Sequence, residues 1–211
     1  MLQKFFSRNQ LLALGVGWMV TTAVHPALAH HAMGNSTPAN VWEGLLSGLA
    51  HPLIGLDHLA AVVAIGLLCA GLKRGIFLPI TFLLTANVGT TLHLLRLDLS
   101  FAELAIALSV LTLGLLLLLG QRLNPWLLGS LAAIAGIFHG YAYGESMTGA
   151  GLNALLGYLI GLSLSQYGIA LMAYKLKDWS DTQQPRWALR FRQLSGIAIA
   201  LIGLGFLVAS A

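Results

Sequence analysis

The residues of this chain best equipped for chemistry form two sets. His51, Asp57 and His58 fall in His51-Pro-Leu-Ile-Gly-Leu-Asp57-His58, and His139 and Glu145 in His139-Gly-Tyr-Ala-Tyr-Gly-Glu145. Both sets lie in apolar stretches of membrane length, where ionisable side chains are costly and normally mark an ion pathway, a proton relay or a ligand site. Neutral imidazole with carboxylate suits Ni²⁺, Co²⁺ or Zn²⁺, whereas Mg²⁺ and Ca²⁺ favour all-oxygen shells. These five residues are therefore candidate metal ligands. On a straight helix His51 and His58 would stand about 10.5 Å apart along the axis, a long reach for ligands bound at about 2 Å. Pro52 removes a backbone donor and Gly55 lowers helix propensity, so a break at His51-Pro52 is expected to draw the groups together.

The elements that must position these residues are membrane helices. The chain is 57% hydrophobic and 9% charged, with mean hydropathy +0.82, the composition of an all-α polytopic membrane protein. Its net charge of +4 resides in short loops between apolar spans, which argues against a nucleic-acid partner and for the lipid bilayer. Cys69 is the only cysteine, so neither an intrachain disulfide nor a thiolate cluster is available. Residues 1–29 read as a secretory signal. Lys4 and Arg8 precede an apolar core from Leu11, and Ala27-Leu-Ala29 supplies a small-x-small cleavage site. The mature chain, 30–211, would then begin His30-His31 and form one transmembrane domain.

Six spans are expected at about 41–71, 75–95, 101–119, 125–145, 149–174 and 189–209, each near the roughly 20 residues that cross a bilayer. With the mature N-terminus outside, the inner loops carry Lys73, Arg74, Arg122, Lys175, Lys177, Arg186, Arg190 and Arg192, and the outer connections only Arg96. This bias predicts an N-out, C-out chain in a bacterial plasma (inner) membrane. Both candidate sets then lie at mid-membrane or toward the outside. His93 is a further possible ligand, although a lone intramembrane histidine is more often just hydrogen-bonded. Glu43 and Glu103 fall near outer span ends, where solvation explains them adequately and a role at an entrance is the sharper alternative. The two motifs share Gly-[Leu/Ile]-x-His with an acid six residues on, the pattern of an inverted three-span duplication. Gly136, Gly140 and Gly144 give the fourth span a smooth stripe for close packing.

At these residues the chain resembles the HupE/UreJ family of nickel/cobalt permeases. The resemblance is carried by His51-Pro-x-x-Gly-x-Asp57-His58 early in the first span and Phe138-His-Gly-Tyr-Ala-Tyr-Gly-Glu145 in the fourth. It implies six spans after a signal peptide and import of Ni²⁺ or Co²⁺ as substrate, with no organic cofactor. It also implies that His51, Asp57 and His58 are the metal motif, with His139 and Glu145 as a second polar cluster. The start His30-His31-Ala-Met33 is similar to the Met-His-x-Met start of the membrane subunit of energy-coupling-factor cobalt/nickel importers. In those proteins the terminal amine and second-position histidine bind metal, which would make His30 and His31 possible ligands here.

Two other functions compete with transport. An intramembrane zinc enzyme lacks support from any His-Glu-x-x-His or paired general base. A non-transporting membrane partner in metalloenzyme maturation would want larger cytosolic loops than these. No P-loop is present, so the chain does not hydrolyse ATP itself. A homo-oligomer is compatible with all of these readings.

Overall fold

The computed structural model describes residues 37–120 and 123–210. The expected signal segment and the candidate ligands His30 and His31 lie outside the described residues. Among the described residues seven α-helices follow one another: α1 Val41–Ile54, α2 Leu56–Cys69, α3 Leu78–Leu94, α4 Ala102–Leu119, α5 Pro125–Glu145, α6 Leu152–Asp181 and α7 Pro185–Ala209. A 3₁₀ turn, Gly75–Phe77, leads into α3, and there is no β-strand among the described residues. Among the described residues five helical stretches are long and apolar enough to cross a membrane, and α1 with α2 forms a pair bent by 80° that makes a sixth span if taken as one. Apolar side chains such as Leu84, Leu108, Ile134, Ile160 and Leu204 are exposed along them. That is how helices facing lipid must look, and the chain is a multi-pass membrane protein.

The chain breaks at Gly55, not at His51-Pro52. Pro52 lies inside α1, two residues before its end, and leaves the Gly48 carbonyl without its usual donor while the helix continues past it. The Gly55 N–H still bonds the His51 carbonyl at 3.2 Å, but its own backbone is extended, with φ −77° and ψ 106°. The reason for the position is steric. A Cβ on Gly55 would stand 2.5 Å from Cδ2 of His58 and 3.2 Å from Oδ1 of Asp57, so only glycine leaves room for these side chains to fold back over the turn.

A second departure is at the far end of α6. The expected loop at 175–188 is mostly helix, with α6 running to Asp181 and α7 starting at Pro185. Lys177 pairs with Asp181 one turn later, a spacing that supports a helix, and Pro185 is suited to a first helical position.

The tightest packing occurs in three helix pairs, α3 with α5, α1 with α6 and α4 with α7. Each is seamed by glycine. Gly136 and Gly140 of α5 lie against Phe82 and Ala86 of α3, Gly44 and Gly48 of α1 against Ala154 and Tyr158 of α6, and Gly196 and Gly203 of α7 against Leu118 and Leu111 of α4. Hydrocarbon offers no drive for apolar association, so such close backbone approach supplies the packing energy. Exchanging the first three spans for the last three carries the α1–α6 pair onto α5–α3 and leaves α4–α7 in place, as the expected duplication requires. The short helix α2 is the exception to this symmetry. It runs through the middle against α4, α6 and α7, with Ala60, Ala61, Val62, Ala64, Ile65, Leu67 and Cys69 all buried.

Candidate functional site

The bend at Gly55 sets the site. It turns the last part of α1 and the start of α2 toward each other, so that the His51 and His58 rings lie 5.5 Å apart between centroids. Asp57, in the first turn of α2, accepts from the His58 backbone N–H at 2.9 Å and keeps Oδ1 3.8 Å from His58 Nδ1. Helix α5 brings His139 to the same place, with its Nδ1 3.0 Å from Nδ1 of His58. His51, His58 and His139 are each no more than 1% exposed, and three imidazoles from two distant stretches of sequence share one buried cluster.

Neighbours fix these rings. Ser109 of α4 places its hydroxyl 3.0 Å from His139 Nε2. The Tyr158 hydroxyl of α6 stands 3.0 Å from His51 Nδ1. The Tyr143 ring meets those of His58 and His51 edge-on, with centroids 4.5 Å and 5.0 Å away. Ser109, Tyr143 and Tyr158 were not among the residues singled out from sequence. Tyr143 lies within the second motif, and Ser109 is one of few polar residues in an apolar span. Tyr158 has no sequence signal beyond its type.

Glu145 does not join the buried cluster. It lies at the end of α5, exposed, and lines a cavity of about 140 Å³ together with Asp57, His93, Glu103 and Tyr141. Asp57 thus belongs to both places, touching the imidazole cluster on one side and the acidic cavity on the other. His93 packs on the Tyr141 ring at 4.7 Å and has Nε2 3.5 Å from the Thr148 hydroxyl. Of the two candidate entrance residues, Glu103 lines the cavity and Glu43 does not. Glu43 accepts from the Ala39 N–H and the Asn40 side-chain amide while Asn40 accepts from the Trp42 and Glu43 N–H groups. That is a reciprocal cap on α1, and its Asn-x-x-Glu spacing is legible in the sequence.

The donor set suits a borderline cation, but its arrangement is not a finished metal site. Among the described residues, no group of three or more His, Cys, Asp or Glu side chains is placed to hold a metal ion. His58 and His139 face each other instead. Their separation of 3.0 Å equals that of two nitrogens bound at about 2.1 Å and a right angle to one ion. The rings would need to re-aim rather than travel.

A family model described as HupE / UreJ protein matches residues 18–206. Among curated proteins, the chain is 28% identical over 185 residues to "Protein HupE" of Rhizobium leguminosarum bv. viciae, covering 87% of this chain and 92% of that protein. No solved structure matches.

Proposed function

The chain belongs to the HupE/UreJ family, and on that premise we propose that it imports a divalent transition metal, Ni²⁺ or Co²⁺, across the plasma membrane. The observation that carries this reading is the double position of Asp57, which lines the acidic cavity with Glu103 and Glu145 and also contacts the buried imidazole of His58. In this reading the cavity end faces outward and the basic residues Lys73, Arg74 and Arg192 face the cytosol, in keeping with the positive-inside rule. The carboxylates concentrate a dication at the mouth. Asp57 then hands it to His51, His58 and His139, whose neutral nitrogens select transition metals over the more abundant Mg²⁺. Glu145 and His93 act at the mouth, and residues 1–29 direct the chain to the membrane as a signal peptide.

The same arrangement favours a carrier over an enzyme, because it offers a path with a ligand set and no paired base beside an open metal position. The test is uptake of radiolabelled Ni²⁺ and Co²⁺ by cells lacking their own importers. Native protein should accumulate at least one of the two, and Asp57→Asn should not. Equal accumulation with and without the native protein would refute import.

A further inference from the structure

The Ser109 hydroxyl has one proton and two polar neighbours. Its oxygen lies 2.7 Å from the Ile106 carbonyl one turn earlier on α4 and 3.0 Å from Nε2 of His139. A carbonyl oxygen only accepts, so the shorter contact commits the Ser109 proton to Ile106. The hydroxyl oxygen can then only accept from His139, which places that ring's proton on Nε2. In a neutral imidazole the other nitrogen carries the lone pair, and here it is Nδ1, which faces Nδ1 of His58 at 3.0 Å. We propose that Ser109 is a positioning residue for metal capture, holding His139 in the Nε2–H form so that Nδ1, directed at His58, is the ligating atom.

The geometry stands without the import reading, and the consequence for metal rests on it. Ligating histidines commonly donate their second ring N–H to a fixed acceptor, which sets both tautomer and ring orientation. The acceptor here is unusual in being a hydroxyl whose own proton is tied to a helix carbonyl. Removing it leaves a buried N–H with no acceptor and lets the ring turn or change tautomer, while every candidate ligand stays in the chain. Ser109 also lines a groove of about 250 Å³ between α4 and α5. There an added methyl has room, and threonine can make the same bond to the preceding turn.

The test uses the full chain in lipid nanodiscs, labelled with ¹⁵N in the histidine rings, as native protein, Ser109→Ala and Ser109→Thr. The His139 resonances are assigned by their loss in His139→Gln. Native protein and Ser109→Thr should show His139 protonated on Nε2 and bare on Nδ1, and Ser109→Ala should show a mixed or reversed pattern. In cells, Ser109→Ala should raise the half-saturating Ni²⁺ concentration about ten- to a hundredfold with little change in maximal rate, and Ser109→Thr should restore it. A native His139 protonated on Nδ1, or an unchanged tautomer in Ser109→Ala, overturns the assignment. A lower maximal rate at unchanged half-saturation makes Ser109 merely structural and also overturns it. Absence of Ni²⁺ and Co²⁺ uptake by the native protein would sink the import reading, while the resonances would still decide the role of Ser109.

Discussion

Between His51 and Asp57 the chain turns by 80° at Gly55, whereas between His139 and Glu145 it runs straight along α5. The two motifs have the same histidine-to-acid spacing. On the straight helix six residues carry the acid about 9 Å along the axis, and Glu145 ends at the mouth of the cavity. In the bent segment Asp57 stays beside the imidazoles. Backbone path, more than residue type, separates a carboxylate exposed at the cavity from one held beside the buried imidazoles.

The contrast can be broken most directly at the ligands. Replacing His51, Asp57 or His58 with Ala should cut metal uptake by about a hundredfold or more, beyond the tenfold to hundredfold cost of losing a residue behind a ligand, while membrane insertion persists. Wild-type uptake by all three variants would remove the bent motif from the pathway. Next is the hinge. Gly55→Ala drives a methyl into the His58 ring, and uptake should fall by about tenfold with helix content by circular dichroism unchanged. Gly140→Ala, by contrast, sets a methyl against the Ala86 backbone. It should lower the thermal stability of the purified protein by about 1–3 kcal/mol, because it wedges α3 from α5 without touching the hinge.

Smaller effects sharpen the same comparison. Uptake should fall, by about tenfold, as external pH drops from about 8 to about 5, since a ligating imidazole must be neutral and protons compete with the metal. A flat rate over that range would argue against histidine ligation in the limiting step. The mildest change should be Glu145→Gln, which raises the half-saturating metal concentration about threefold and leaves the maximal rate alone, the behaviour of a surface charge that aids encounter. A loss as large as that of Asp57→Ala would place Glu145 with the ligands and erase the distinction.

Much of the architecture was legible because composition and hydropathy act over whole spans. The glycine stripe Gly136, Gly140 and Gly144 likewise marks α5 as a helix packed closely along one face. The position of the hinge was not legible. Proline marks a lost donor, but what requires the bend at Gly55 is the fold-back of His58 and Asp57 over it, a contact visible only in three dimensions. The extent of α6 was hidden for a different reason. Charges at 175–181 look like a loop in a membrane protein, yet Lys177 and Asp181 pair one helical turn apart. Within the site, His51, Asp57, His58 and His139 were recoverable from motif and burial cost. Ser109 and Tyr158 were not, because a hydroxyl in an apolar helix acquires meaning only from the ring it meets.

The apolar stretch of α2 forms a low-dielectric layer. From Leu59 to Cys69 the helix carries no polar side chain, and it is wrapped by α4, α6 and α7. A layer this apolar is a poor path for protons and sodium ions. In the proposed orientation such a layer would carry much of the membrane voltage, and a dication held at His58 would sit at its edge. Moving two charges across that layer is worth about 4.6 kcal/mol for every 100 mV, negative inside. If import runs as proposed, release toward the cytosol would draw on the resting potential, and a depolarised cell should load the site but empty it slowly.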